Sequence, residues 1–254
     1  RQAALSFPTI VSSILHLFKE SVEFNLSKIL PQLSNKIASA AAFSAARYKI
    51  KPAFFQALNA LVVEHIQTLK PKTWNGYQLI AVDGSTVSLP PSASIKKSFG
   101  IFAKTAKGTK TCMAQALICY DVLSNYVLAS MIDKMETGEK SLLRLLLPEI
   151  KVTNAIFILD RGFGNFSICK MLENQQHNYC IRLSTQVSSF AKKAMMMAES
   201  DFVTLWQPSE MERSNCKRHG QDIKAIQVRV SKIALDTGEI ELLVSNIFDA
   251  DTID

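Results

Sequence analysis

Two short stretches of similar build decide the fold of this chain. Residues 79–84 read Leu-Ile-Ala-Val-Asp-Gly, and residues 157–162 read Phe-Ile-Leu-Asp-Arg-Gly. Each is an apolar run that ends at an aspartate, Asp83 or Asp160, with a glycine close behind. Short apolar runs that end in turn residues predict buried strands. A carboxylate at the end of such a strand projects from a rigid sheet, and the glycine lets a ligand approach the backbone closely.

Asp83 and Asp160 are therefore candidate catalytic residues and candidate metal ligands. If the two strands are neighbours, their carboxylates converge, and paired carboxylate oxygens suit Mg²⁺ or Mn²⁺. A single Asp-Gly after a strand is most often an ordinary turn, so the inference depends on the repetition. Phosphatases of the haloacid-dehalogenase type use a similar motif with a nucleophilic aspartate two positions earlier. Ala81 stands there in this chain, which argues against that class.

The residues around these two strands predict a mixed α/β protein. Apolar runs at 112–120 and 126–132 indicate an antiparallel pair, 140–150 indicates a helix, and 179–183 indicates a further strand. The predicted domains are an N-terminal helical region at 1–75, which is a candidate DNA-binding region, a core at 76–185, a β-rich insertion at 186–239 and a return to the core at 240–254.

The composition limits the cellular setting. No stretch approaches 18 uninterrupted apolar residues, so we expect no membrane span. The five cysteines are an odd number with no Cys-x-x-Cys pair, which argues against a zinc ribbon or a disulfide framework and favours reduced thiols in a cytoplasmic protein. The chain starts at Arg1 without an initiator Met or a signal-peptide pattern, and we expect it to be a fragment.

The distribution of charge points to a polyanionic partner. The net charge is +7, and no acidic residue occurs between Gly84 and Tyr120. We predict that this segment holds a mobile loop that contacts DNA phosphates, although a solvated surface loop would have the same composition. Arg161, beside Asp160, is a further candidate for phosphate contact or for a salt bridge. The candidate lysines are Lys96, Lys97, Lys104, Lys107 and Lys110.

Four motifs in order resemble a known family. Residues 82–86 (Val-Asp-Gly-Ser-Thr) and 159–163 (Leu-Asp-Arg-Gly-Phe) resemble the first and second aspartate motifs of the DDE transposases of bacterial insertion sequences, in the insertion-sequence-four-like group. Residues 42–50 (Ala-Phe-Ser-Ala-Ala-Arg-Tyr-Lys-Ile) are similar to the N-terminal signature of that group. Residues 242–246 (Leu-Leu-Val-Ser-Asn) are similar to the strand that leaves its β insertion.

The resemblance implies a fold, a chemistry and a set of partners. The fold is a ribonuclease-H-like mixed sheet, interrupted by a β insertion before its last helix. The chemistry uses two Mg²⁺ or Mn²⁺ ions roughly 3.5–4 Å apart, with Asp83 bridging both ions and Asp160 holding one. The partner is double-stranded DNA at transposon ends and at the target site, bound by a homodimer.

The chain departs from this family at the third acid. That glutamate belongs to a helical motif, Tyr-x-x-Arg-x-x-x-Glu-x-x-x-x-x-x-Lys, after the insertion, and residues 247–254 contain none of it. No tyrosine follows Tyr179, so the motif is not hidden earlier. Glu239 and Glu241 are expected on the surface. Glu136 and Glu139 flank Gly138 near a helix start and are alternative acids, placed as the helix acid of ribonuclease H is.

Three functions remain open from the sequence. The first is a transposase that cleaves and transfers DNA strands at transposon ends. The second is a catalytically inactive DNA-binding remnant or regulator with the same fold. The third is a ribonuclease-H-like nuclease unrelated to transposition. With two of three acids identified, we expect the 254-residue polypeptide to bind Mg²⁺ or Mn²⁺ weakly and to cleave poorly.

Overall fold

A computed structural model describes residues 5–33, 37–104, 110–186 and 188–249. The chain divides into two compact units, Arg1–His65 and Ile66–Asp254. Within the described residues, no helix is both long enough and apolar enough to cross a lipid bilayer.

The N-terminal unit is helical. Its helices are α1 (Phe7–Leu15), α2 (Val22–Leu33) and α3 (Ala40–Arg47), followed by α4 (Pro52–Thr68), which begins in this unit. The predicted N-cap at Ser6 is confirmed, since its hydroxyl accepts a hydrogen bond from the Thr9 backbone N–H at 3.4 Å. The first three helices bury one apolar face each around a shared core formed by Ile10, Leu26, Leu30 and Phe43.

The second unit is built on strands and connecting helices. Their bounds, in chain order, are β1 (Gln78–Leu89), α5 (Ala93–Phe99), β2 (Ala103–Lys104), β3 (Lys110–Asp121), β4 (Tyr126–Lys134), α6 (Glu139–Leu146), β5 (Ala155–Leu159), α7 (Phe166–Asn174), β6 (Asn178–Leu183), α8 (Ser189–Met196), β7 (Asp201–Trp206), α9 (Glu210–Arg218), β8 (Ile226–Ala234) and β9 (Ile240–Ser245).

The strand pairing is that of a ribonuclease-H-like sheet, as predicted. β3 is antiparallel to β1, and β4 is antiparallel to β3. On the other side, β5 is parallel to β1 and β6 is parallel to β5. The inward-facing side chains of the central strands are almost fully buried and belong to the core. They include Ile80, Val82, Phe157, Leu159 and Ile181.

Segment 186–239 continues this sheet and also contains helices. β9 pairs antiparallel with β6, and β8 and β7 follow outward, so its strands extend the central sheet. It also contains α8 and α9. The polar run 209–220 carries no apolar periodicity, and α9 forms there with a capping box in which Ser209 and Glu212 each bond the other's backbone N–H.

The predicted mobile loop of lysines is wrong for Lys96 and Lys97. Both lie on α5, which begins at the N-cap Ser92 and ends at Gly100, whose φ of 78° stops the helix. The backbone of Lys104 pairs with that of Lys110 in a short antiparallel ladder between β2 and β3. Lys107 lies outside the described residues.

Candidate active site

The sheet register places Asp83 and Asp160 side by side. β1 and β5 are parallel neighbours, and their last aligned pair is Val82 with Leu159. Asp83 and Asp160 are the next residue of each strand path. Neighbouring strands lie about 4.8 Å apart, so the two backbones leave the paired region next to each other. The two strands are therefore adjacent, as predicted from their matched sequences.

Both aspartates are exposed, and their local contacts differ. The Asp83 Oδ1 atom accepts a hydrogen bond from the Gly84 backbone N–H at 2.8 Å. β1 continues past Asp83 to Leu89 rather than ending there, because β3 supplies partners along its full length. Asp160 follows β5 directly and its Oδ1 atom lies 3.6 Å from the Arg182 guanidinium.

Arg182 is a site residue that the sequence reasoning missed. It lies on β6 and also forms an ion pair with Glu241 on β9 at 3.0 Å. Glu241 is therefore half-buried and paired, whereas Glu239 is exposed. The available signal was Arg182 itself, a charged residue between the apolar Ile181 and Leu183 of β6.

The turn after Asp160 is packed tightly on β6. A Cβ added to Gly164 would lie 2.8 Å from the backbone oxygen of Arg182 and 2.8 Å from a methyl carbon of Leu183. Only glycine allows so close an approach. The turn then enters α7, whose predicted N-cap is confirmed because Asn165 accepts from the Ile168 backbone N–H at 3.0 Å. The turn that follows Asp160 is thus held by its packing on β6 and by the N-cap of α7.

Glu139 reaches the same place from the start of α6. A Cβ added to Gly84 would lie 2.2 Å from Glu139 Oε1, and one added to Gly162 would lie 3.7 Å from Glu139 Oε2. The half-buried carboxylate therefore sits against the backbone of both aspartate-bearing segments. Gln115, a buried residue of β3, donates a hydrogen bond from Nε2 to Glu139 Oε1 at 3.2 Å. The alternative acid Glu136 is exposed on the turn before α6.

Arg161, the residue after Asp160, lines an open cavity. The cavity is about 530 Å³ and is also lined by Arg182, Ser184, Glu239 and Glu241. Arg161 is exposed, and the described residues show no salt bridge to it. The salt bridge to Asp160 that was considered for Arg161 is formed instead by Arg182.

The cysteines do not supply a nucleophile to this site. Cys112, Cys119, Cys169 and Cys216 are buried, and all five thiols of the described chain are unpaired. Burial raises the pKa of Cys119 to about 12, which keeps its thiol protonated at neutral pH.

The sheet is ribonuclease-H-like, and each of its two neighbouring parallel strands, β1 and β5, leads into an aspartate. Residues 74–252 match the family described as Transposase DDE domain. The chain belongs to that family. No curated protein matches it. Among solved structures, the chain is similar to a piggyBac transposase in a synaptic complex with hairpin DNA, with 11% identity and a TM-score of 0.46 over 97% of this chain. The chain spans 52% of that protein's length.

The family implies a divalent metal, and the donor set at the two aspartates is suited to one. Asp83, Asp160 and Glu139 offer only carboxylate oxygens, the ligand type that Mg²⁺ and Mn²⁺ prefer. Within the described chain, no three His, Cys, Asp or Glu side chains are already gathered closely enough to hold an ion. Mg²⁺ commonly takes one or two protein carboxylates and completes its shell with water and phosphate oxygens. A site without three gathered protein ligands is therefore compatible with Mg²⁺.

Proposed function

We propose that this protein is a DDE transposase of the insertion-sequence-four-like group, which cleaves and transfers DNA strands at transposon ends in the bacterial cytoplasm. The observation that carries the proposal is the parallel register of β1 and β5, which brings Asp83 and Asp160 to neighbouring positions. Family membership supplies the reaction class, and the matched strand ends supply the residues. We further propose a homodimer on paired DNA ends.

The two aspartates hold the metal in this proposal. Asp83 and Asp160 would be the residues that hold the ions, and Mg²⁺ or Mn²⁺ bound there would supply the charge that activates a water or a DNA 3′-hydroxyl and stabilises the leaving oxygen. Arg182 holds the Asp160 carboxylate at the carboxyl end of β5 through a 3.6 Å ion pair. Glu241 holds Arg182 in turn through a second ion pair. Exposed Arg161, next to Asp160, contacts a DNA phosphate.

An excision assay tests this function directly. A plasmid carrying the genetic element that encodes this chain, with both flanks and a marker between its ends, is incubated with the purified full-length product of that element. We expect strand breaks at the element ends in Mg²⁺ or Mn²⁺ and none in excess EDTA, because the carboxylates alone cannot activate the nucleophile. Breaks that persist in EDTA, or that fall at random along the plasmid, would contradict the proposal.

The alternative function is DNA binding without cleavage. The same assay separates the two functions, since a binding protein would retard the end fragments in a gel and leave both strands intact in Mg²⁺ and in Mn²⁺.

The lysines between the first aspartate and β3 are proposed to hold the DNA backbone. Lys96 and Lys97 lie in the last turn of α5, with Lys97 exposed. Replacing both with Gln should weaken DNA binding and lower the slope of log affinity against log salt by roughly 0.9 for each phosphate that is no longer neutralised, because a neutralised phosphate releases its counterions. Fluorescence anisotropy over a salt series measures both quantities.

The matched control for this pair is Lys192 and Lys193. They are exposed, adjacent and on another short helix, α8, so their replacement with Gln changes the net charge equally. We expect the control to retain most of the salt slope. Equal slopes for the two double variants would assign α5 no special part in DNA binding.

A further inference from the structure

We infer that Glu139 is a further carboxylate ligand of the metal site, beside Asp83 and Asp160. This inference rests on the proposed function, because it assigns a residue to the same site. It names an acid from α6, on the N-terminal side of β5, whereas the family resemblance points to a helix beyond β9.

The first support is the convergence of three segments on one side chain. Glu139 Oε1 occupies the space beside Gly84, directly after Asp83, where a Cβ would lie only 2.2 Å away. Its Oε2 lies 3.7 Å from the Cβ position of Gly162, two residues after Asp160. One carboxylate thus contacts the backbone beside both aspartates. Any larger residue at position 84 would displace it.

The second support is electrostatic. The described residues contain no salt bridge to Glu139, whose polar partner is the neutral amide of Gln115 at 3.2 Å. A half-buried carboxylate is poorly compensated by a neutral amide alone, and a divalent cation would compensate it.

The third support is the way the protein positions Glu139. Gln115 comes from β3 and is buried, so it presents its amide from a rigid strand. Gly138 precedes α6 with a φ of 67°, a conformation that favours glycine, and Glu139 is the first residue of the helix. α6 is anchored by Leu142, Leu143 and Leu146, which are buried. The carboxylate is therefore held in place by a sheet residue and a buried helix.

Mn²⁺ titration followed by electron paramagnetic resonance tests the inference without requiring cleavage. Glu139→Gln keeps the shape of the side chain and should raise the Mn²⁺ dissociation constant at least about tenfold. Loss of a residue that only supports a metal ligand already costs about that much, and loss of a direct ligand should cost no less. Glu136→Gln is the matched control, since it removes the same charge three residues earlier at an exposed position. It should bind Mn²⁺ like the wild type.

A second variant reaches Glu139 through the backbone. Gly84→Ala leaves every carboxylate in place, yet its methyl group would occupy the space of Glu139 Oε1, so it should also weaken Mn²⁺ binding. If Gly84→Ala acts by displacing Glu139, the double variant Gly84→Ala with Glu139→Gln should bind Mn²⁺ no more weakly than whichever single variant has the lower Mn²⁺ affinity. Circular dichroism melting curves confirm that each variant is folded.

The outcomes separate this inference from the proposed function. Wild-type affinity in Glu139→Gln, together with weakened binding in Asp83→Asn, would overturn the role of Glu139 and leave the aspartate site intact. Unchanged binding in both Asp83→Asn and Asp160→Asn, or no saturable Mn²⁺ binding by the wild type, would overturn both. Weakened binding in Glu139→Gln and Asp83→Asn but not in Glu136→Gln supports the three-carboxylate site.

Discussion

Asp83→Asn should lower the rate of DNA strand cleavage at the element ends by at least about a thousandfold. Asn keeps the size of the side chain and removes the negative charge that would bridge two cations. A metal contributes several kcal/mol to the transition state, and about 4 kcal/mol corresponds to a factor of about a thousand in rate. Single-turnover cleavage in Mg²⁺, with protein in excess over DNA, measures the effect without interference from product release.

The matched control is Asp236→Asn. Asp236 is exposed in the turn between β8 and β9, so its replacement changes the charge equally. We expect it to cleave within a few-fold of the wild type, and both variants to retain DNA affinity. An Asp83→Asn protein that cleaves as fast as the Asp236→Asn protein would remove Asp83 from the catalytic site.

Phe157→Ala should lower the free energy of unfolding of the second unit by about 3–5 kcal/mol, the usual cost of removing a fully buried aromatic side chain. Phe157 is on β5, between β1 and β6, and is aligned with Ile80 and Tyr179, which are also fully buried. Its ring lies 4.8 Å from that of His177. The cavity left by Ala would be enclosed by strands on both sides and could not collapse readily.

Urea unfolding followed by tryptophan fluorescence measures this loss, because Trp74 and Trp206 both lie in the second unit. Ile158→Ala is the control on the same strand. Ile158 faces the opposite side and is 39% exposed, so its loss should cost only about 1 kcal/mol. Equal losses for Phe157→Ala and Ile158→Ala would mean that the two faces of β5 are buried alike, contrary to the structure.

Local chemistry explains most of what could be predicted about the elements. The apolar runs before Asp83 and Asp160 indicated strands, and the predicted N-caps at Ser6 and Asn165 are observed. The helix α9 was missed because it buries little, with Cys216 its buried residue, so it carries no apolar periodicity. Its capping box was readable from Ser209 and Glu212 and would have been the better signal.

Some residues of the candidate site could be recognised from the local sequence, and others could not. Asp83 and Asp160 were recognisable because each follows its own strand, a pattern contained within six residues. Arg182 was not predicted, and Glu139 was one of two alternative acids, since each reaches the site through a neighbour distant in sequence. Arg182 contacts Asp160 because β6 is parallel to β5, and Glu139 lies beside Gly84 because α6 begins next to β1 and β3.

The sequence by itself determined the central strands, their ribonuclease-H-like pattern and the two aspartates, because side-chain periodicity and caps act over a few residues. Only the tertiary structure decided that β7 to β9 extend the central sheet, that the lysines 96 and 97 lie on a helix, and that Glu139 packs against both aspartate segments. Those features depend on strand order and on close approach between distant backbones, which no local pattern encodes.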